Sequence, residues 1–224
     1  MTRNVGAHGV AGSINRAVRH LVRHGLADDQ NTAFERSGPG GRQEVVFQGV
    51  GTLSLALKKR EYSEAYARLL AARAYNARMA DGALIQMAYE FRGRRLLRHR
   101  LAYLPSVRSD PFQRSPEVYL ADEAFGDVAA PAVSIPLRFD FHASDERHRV
   151  LEHPKCHLTL GDWPECRIPV SAPVPPVVFV DFLLRSFYDT RSMRWSEDLP
   201  QEGMRFEPSI HDRERRVSVG VTLA

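Results

Sequence analysis

The sequence predicts an α+β protein, a single domain in which a central antiparallel sheet carries flanking helices. Two runs of alternating apolar and polar residues, 83–91 and 96–104, follow an Asp-Gly pair and are joined by an Arg-Gly turn. This pattern is typical of an antiparallel meander. Shorter alternating runs recur at 135–142 and 156–160, and apolar residues at helical spacing occur before and after these strands.

The expected organisation is one domain over residues 1–224, because 224 residues with 43% apolar content support an ordinary core. We expect an N-terminal amphipathic helix at about 13–25, capped by Ser13. The sheet and a closing helix should occupy about 44–190, and the alternation at about 217–223 predicts a C-terminal strand.

The remaining segments are assigned by local chemistry. Residues 31–42 contain SGPGG and are expected to form a loop. A strand is expected at 44–49, one helical turn at 53–57 and a helix at 62–72. The proline-containing segment 106–131 is expected to be a long surface connection.

Composition excludes several protein classes. No run approaches eighteen apolar residues and no apolar signal core is present, so we expect a cytoplasmic protein without a membrane partner. The two cysteines, Cys156 and Cys166, lack CxxC spacing. They are therefore expected to be buried thiols rather than zinc ligands or a disulfide framework.

The basic residues are almost all arginines. The chain has 31 basic residues, of which three are lysines, and a net charge of +4. Arginine binds phosphate with two parallel hydrogen bonds, which makes nucleic acid a candidate partner. A GC-rich genome, which favours arginine codons, explains the same composition. The candidate nucleic-acid-binding residues lie at the second turn of the meander and on the strand that leaves it: Arg92, Arg94, Arg95, Arg98 and Arg100.

Polar residues with catalytic chemistry concentrate on the apolar strands of 136–170. Alternation places Asp140 and His142 on one face of the first strand and His157 and Thr159 on one face of the second. Arg167 lies on a third short strand, which Pro169 marks as an edge or an end. The candidate catalytic residues are therefore Asp140, His142, His157, Thr159 and Arg167.

These residue types fit metal-independent phosphodiester cleavage. In this interpretation His157 is the general base or acid, Asp140 orients it, and Arg167 stabilises the phosphate charge. A metal site formed by histidines and an aspartate is an alternative, although no HExxH or comparable fixed spacing supports it. A third interpretation is structural, in which each histidine hydrogen-bonds a loop carbonyl. The sequence identifies no cofactor, and the metal interpretation draws on Asp140, His142, His153 and His157.

Several blocks in fixed order also resemble a family. The segments YNARMADGALIQMAYEF, LLRHRLAYLPS, PLRFDFHAS, HPKCHLTLG, CRIPVSAP and FVDFLLRSFY resemble an uncharacterised bacterial domain-of-unknown-function family over roughly residues 10–195. Members of this family resemble accessory genes of mobile and defence regions. The resemblance implies a role in antiviral defence or a toxin-like activity, and it transfers no residue role.

A narrower resemblance concerns a short motif. His157 and Thr159 resemble one half of the paired HxT motif of two-histidine phosphoesterases. A second copy at the usual distance is absent, since His142-Ala143-Ser144 lies too close to the first copy in sequence to be its partner.

The sequence therefore predicts a nucleic-acid-directed protein of a defence or toxin-like system, with a nuclease as the specific hypothesis. The alternative is a non-catalytic subunit of a defence complex that binds a partner protein or nucleic acid. An enzyme requires Asp140, His157 and Arg167 to converge in one pocket, whereas a binding subunit requires an exposed apolar or basic surface.

Overall fold

Four helices and nine strands form in the part of the chain that the computed structural model describes, residues 6–49, 61–107, 135–161, 163 and 165–223. The helices are α1 (Ala7–Arg23), α2 (Tyr62–Ala71), α3 (Pro176–Leu183) and α4 (Asp212–Val217). The first strands are β1 (Ala27–Gln30), β2 (Phe34–Gly38), β3 (Arg42–Val46), β4 (Ala77–Met79) and β5 (Leu84–Arg92). They are followed by β6 (Arg95–Leu104), β7 (Leu137–His142), β8 (Cys156–Leu160) and β9 (Ile168–Pro169).

The strands form one antiparallel sheet. Its order is β1-β4-β5-β6-β7-β8-β9, and the β2–β3 hairpin attaches to β5 beside β4. An antiparallel sheet with helices packed on it is the α+β architecture, so the predicted α+β class is confirmed.

One face of the sheet is apolar and carries two helices. Alternation along β5 directs Ile85, Met87, Tyr89 and Phe91 to this face, where they join the apolar residues of β6, β7 and β8. The buried sides of α1 and α3 belong to the same cluster. The main core therefore lies between the sheet and these two helices.

The opposite face is divided between an apolar and a polar half. Helix α2 packs Tyr66 and Leu69 against Leu84, Ala102 and Leu104, which form a second, smaller apolar cluster. Beyond this cluster the same face of β6, β7 and β8 carries charged and polar side chains. This half positions the candidate site.

The first helix begins earlier than the sequence predicted. It starts at Ala7 rather than at about residue 13, and Ser13 is a buried residue in its interior instead of its cap. Ala7, Val10 and Ala11 extend the apolar face towards the N-terminus. Packing of this face offsets the cost of about 1 kcal/mol that each of two glycines in the first turns imposes on a helix.

The segment expected to be a loop at residues 31–42 is largely a hairpin. Strand β2 pairs with β3 through a turn whose Gly40 and Gly41 have φ values of 66° and 72°. The side chains of β2 are mostly exposed. This edge strand is therefore held by backbone pairing and lacks the apolar alternation by which strands are recognised in a sequence.

The C-terminal strand expected at about 217–223 does not form. Val217 ends α4, and one parallel bridge joins Val221 to Val170. Val219 is 89% exposed and Val217 also faces solvent, whereas Val221 and Leu223 pack against the main core, so only the end of this segment contributes to the core.

Two further expectations, the helical turn at 53–57 and most of the connection at 106–131, lie outside the described residues. The helix expected at 62–72 and the closing helix are confirmed as α2 and α3, the latter ending in a π-turn over Leu184–Tyr188. Among the described helices, none has the length and apolar character needed to cross a bilayer.

The Asp81-Gly82 turn between β4 and β5 requires its glycine. Gly82 has φ of 85°, and a Cβ at this position would lie 3.0 Å from the side chain of Ser106. The hydroxyl of Tyr66 on α2 donates to the Gly82 carbonyl. The turn thus connects the meander to the second apolar cluster.

We expect Gly82→Ala to lower the free energy of unfolding by about 1–2 kcal/mol, because an L-residue is strained in the left-handed region. The close contact of the new Cβ with the Ser106 side chain should lower it further. Gly40→Ala is the matched control, since Gly40 has φ of 66° and a Cβ there would meet no described atom within 4 Å. Urea denaturation measures the stability of both variants. Equal destabilisation of the two would contradict the Ser106 contribution.

Candidate functional site

The polar half of the sheet is built from three cross-strand rows. Antiparallel register aligns Glu90 with Arg98 and Arg98 with His142. The next row aligns Arg100 with Asp140 and Asp140 with His157. The third row aligns Ala102, Arg138 and Thr159. Directly opposed side chains on one face lie close enough to interact, so these rows bring residues of four strands, β5 to β8, onto one continuous polar surface.

Asp140 is at the centre of these rows and is paired with two arginines. Arg100 Nε donates to one carboxylate oxygen at 3.0 Å, and Arg138 Nε donates to the other. Burial acts to raise the pKa of Asp140, but the charges and hydrogen bonds of Arg138 and Arg100 outweigh it and hold the pKa below its usual range. The carboxylate is therefore ionised and fixes both guanidinium groups.

His157 lies beside Asp140 and is oriented by a different group. Its Nδ1 is 3.0 Å from the carbonyl oxygen of Pro154, which can only accept, so Nδ1 carries the proton. Burial lowers the pKa of His157, with smaller lowering contributions from His153 and Arg167. A neutral imidazole in this tautomer has its lone pair on Nε2.

Asp140, which the sequence predicted as the group that orients His157, does not have that role. The required register is present, because Asp140 and His157 are direct partners across β7 and β8. Both carboxylate oxygens nevertheless bind arginines, and the Pro154 carbonyl fixes the ring. The strong preference of a half-buried carboxylate for guanidinium donors explains this difference.

Two other histidines share the site. Burial and the charges of Arg147 and Arg98 lower the pKa of His142, and its Nδ1 accepts from the Ser144 amide at 3.1 Å. The ring of His153 lies 5.1 Å from that of His157, centroid to centroid. Burial and Arg167 lower its pKa as well. Several imidazoles are thus available in their neutral form near pH 7.

These residues surround a cavity of about 250 Å3, which we call the cationic pocket. Asp140 is the single carboxylate among its described lining residues, and Thr159 lies on its floor. All five candidate catalytic residues line it, including Arg167, whose Nη1 donates to the Glu152 carbonyl at 3.3 Å. Its cationic side chains are Arg98, Arg100, Arg138, Arg147, Lys155 and Arg167, and its histidines outside the core are His142, His148, His153 and His157.

The five arginines of the meander do not form one strip. Arg98 and Arg100 line the cationic pocket, because even-numbered residues of β6 face the polar side. The other three lie at the hairpin turn and are exposed: Arg92, Arg94 and Arg95.

Three further cations of the pocket, Arg138, Arg147 and Lys155, are not among the binding residues expected from the sequence. Alternation with Asp140 is a sequence signal that could have identified Arg138. The other two reach the pocket from outside the strands, so no strand pattern marks them.

The cysteines do not take part in the site. Cys156 faces the apolar side of the sheet, where its thiol donates to the Ala172 carbonyl at 3.3 Å and burial raises its pKa well above the usual range. His99 behind it accepts from the Val174 amide at 3.1 Å, and burial lowers its pKa to about 3. Both are neutral residues of the core, and Cys166 is half-buried.

The residues of the alternative metal interpretation surround the same pocket. Within the described part of the chain, no three side chains of His, Cys, Asp or Glu are grouped so that they could hold a metal ion. The arginine contacts of Asp140 occupy the oxygens that such a site would need.

A larger basic depression of about 730 Å3 lies on the outer side of α1. Its His20 is buried and hydrogen-bonds the Trp195 carbonyl at 2.8 Å, and Arg16 pairs with Glu202. These groups already have protein partners and lie on the helix-covered side of the sheet. They do not extend the cationic pocket.

Fold and site together define an α+β protein with a cationic, histidine-lined pocket on one sheet face. A family model described as "Uncharacterized conserved protein (DUF2290)" matches residues 26–219, and the chain belongs to this family. The match agrees with the resemblance that the sequence blocks indicated. Neither the curated proteins nor the solved structures contain a significant match to the chain.

Removal of the central charge tests the network. We expect Asp140→Asn to lower the free energy of unfolding at pH 7 by about 1–3 kcal/mol, because two charged hydrogen bonds are weakened. Since the pKa of Asp140 is lowered in the folded state, its contribution is complete above the unfolded value of about 3.8 and disappears as pH falls through the folded pKa.

Urea denaturation at pH 7 and pH 3 measures this difference. Asp145→Asn is the control, because Asp145 pairs with Lys155 at the surface and its side chain is 88% exposed. We expect little change in that variant. An Asp140→Asn variant as stable as the wild type at pH 7 would contradict the central role of this carboxylate.

Proposed function

We propose that the protein binds nucleic acid in the cationic pocket and cleaves its phosphodiester bonds by metal-independent acid–base chemistry, with His157 as the general base. The observation that carries this proposal is the position of His157. Its Nδ1–H is held by Pro154, which leaves Nε2 as a basic nitrogen in a pocket lined by six cationic side chains.

The charge of the pocket supports phosphate binding. Six cations and one carboxylate line the pocket, and Lys155 and Arg167 also pair with the exposed carboxylates of Asp145 and Glu165, so the lining retains an excess of positive charge. Arg100 and Arg138 are held in place by Asp140, so they lose little conformational freedom when a phosphate arrives. Guanidinium groups match phosphate geometry and suit a site that stabilises developing negative charge.

The state of His157 supports its role as a base. A general base must be unprotonated at working pH and within reach of the proton it removes. Burial lowers the pKa of His157, so the imidazole is neutral near pH 7. Arg167 and Thr159 flank the same pocket and can contact the phosphate or the attacking group.

A second candidate is a non-catalytic nucleic-acid-binding subunit. The hydrogen bond from His157 to Pro154 favours it, because this contact also anchors the loop before β8. The cationic pocket would then bind phosphate and the histidine would be structural.

We place either activity in a cytoplasmic defence or toxin-like system, where the protein would act alone or with a partner protein. The support for this setting is the resemblance of the sequence blocks to genes of defence regions. Damage to or capture of nucleic acid is the chemistry that such a role requires.

A binding measurement distinguishes the cationic pocket from the hairpin turn as the site that contacts nucleic acid. We expect the triple change of Arg98, Arg147 and Arg167 to glutamine to weaken binding to a labelled oligonucleotide. The slope of log K against log salt should become shallower by about 0.7–0.9 for every phosphate group that the variant no longer neutralises. Fluorescence anisotropy at several salt concentrations measures both.

The control carries the same charge change in the turn: glutamine at Arg92, Arg94 and Arg95. It should bind like the wild type. Stronger weakening in this control than in the pocket variant would assign binding to the turn and contradict the proposed site.

His157→Asn tests the base. Asparagine retains an N–H for the Pro154 carbonyl but has no basic nitrogen, so cleavage should fall by about 100-fold or more while the melting temperature changes little. In the wild type the acid limb of the pH–rate profile should lie below pH 6.5, because the pKa of His157 is lowered and the base stays unprotonated to lower pH.

His8→Asn, an exposed change on α1, is the control and should retain full activity. Retained cleavage in His157→Asn, together with a lower melting temperature, would assign His157 to the structure. The second candidate would then stand.

A further inference from the structure

The pocket contains two imidazoles that differ in their surroundings. His157 hydrogen-bonds the Pro154 carbonyl through Nδ1 and presents a basic nitrogen. His153 lies 5.1 Å away, ring to ring, and is less buried. Burial and the charge of Arg167 lower its pKa, and its hydrogen bond to the Arg147 backbone and the charge of Asp140 oppose this shift only in part. Two imidazoles at this distance repel each other when both are charged, so the pair takes up one proton before two as the pH falls, and the less buried His153 is the one that takes it.

The cations adjacent to the two imidazoles lie where the phosphate of a bound substrate would develop negative charge during the reaction. Arg138 and Arg100 are neighbours of His157 through Asp140, and Arg167 lines the same cavity. A base, an acid and fixed cations are the groups required when a nucleophile that is already part of the substrate attacks a phosphate. The 2′-hydroxyl of RNA is such a nucleophile, and DNA lacks it.

We infer that the substrate is RNA and that the pocket catalyses attack of a 2′-hydroxyl on the adjacent phosphorus, with His157 as base and His153 as acid. This inference rests on the proposed phosphodiester cleavage and names its substrate class. Neither histidine is needed in this arrangement for binding, which the arginines provide.

The proposed reaction is a transesterification. His157 Nε2 takes the proton of the 2′-hydroxyl while the O2′–P bond forms. The P–O5′ bond breaks, and the departing O5′ takes a proton from the His153 imidazolium. The products are a strand that ends in a 2′,3′-cyclic phosphate and a strand that begins with a 5′-hydroxyl. The two histidines have then exchanged protonation states, and solvent restores them.

A sugar-substituted oligonucleotide tests this inference. An RNA hexamer, its copy with a single 2′-deoxynucleotide and its all-deoxy copy are incubated with the full chain, and mass spectrometry identifies the ends formed. The RNA should yield cyclic phosphate ends, and the single deoxy substitution should remove cleavage at that position alone. The all-deoxy hexamer should bind with a similar dissociation constant and stay intact.

His153→Asn provides the second measurement. Without the acid, RNA cleavage should fall by about 100-fold and the alkaline limb of the pH–rate profile should disappear, while the dissociation constant of the all-deoxy hexamer stays the same. A variant that merely loosened the loop would change binding and melting temperature together. An unchanged alkaline limb in His153→Asn would overturn the assignment of the acid.

The outcomes separate this inference from the proposed function. Equal cleavage of the RNA and the all-deoxy hexamer would overturn the 2′-hydroxyl mechanism and leave phosphodiester cleavage in place. RNA that binds but stays intact would overturn the reaction and leave the binding role. Failure of every hexamer to bind would overturn the proposed function itself, and this inference with it.

Discussion

The polar half of the sheet depends on the carboxylate of Asp140, which lies between the guanidinium groups of Arg100 and Arg138. Two arginines on adjacent strands of one face repel each other unless an anion separates them. Asp140 supplies that anion and hydrogen-bonds both, so the face retains a net positive charge without destabilising the strands. A neutral residue at this position would leave two half-buried guanidinium groups without their shared partner, which is more costly than the removal of a surface ion pair.

The second constraint is the unequal covering of the sheet. Helices α1 and α3 pack on the apolar face, whereas α2 covers the half of the other face that contains Leu84, Ala102 and Leu104. The strands β6, β7 and β8 therefore face a core on one side and the cationic pocket on the other. The site is held by strands whose opposite side is fully packed, and such support limits movement of the arginines and His157.

Local patterns predicted the fold class, α2, α3, the meander and the faces of β7 and β8, because alternation and helical spacing arise from neighbouring residues. Asp140, His142, His157 and Thr159 could thus be assigned to common faces from sequence. The contacts of Arg100 and Arg138 with Asp140 depend on register between strands, which a single sequence does not specify. Polar edge strands such as β2 lack an apolar signal, and the start of α1 is set by packing rather than by its cap.

The state of His157 during nucleic-acid binding is the point on which the proposed function depends. Nitrogen-15 NMR of the imidazole rings, recorded as a pH titration with and without an all-deoxy oligonucleotide, measures it directly. We expect a proton on Nδ1 and a pKa below 6.5 in the free protein, followed by a rise in that pKa when a phosphate anion enters the pocket. A proton on Nε2, or a titration that the oligonucleotide leaves unchanged, would contradict the proposed role of His157.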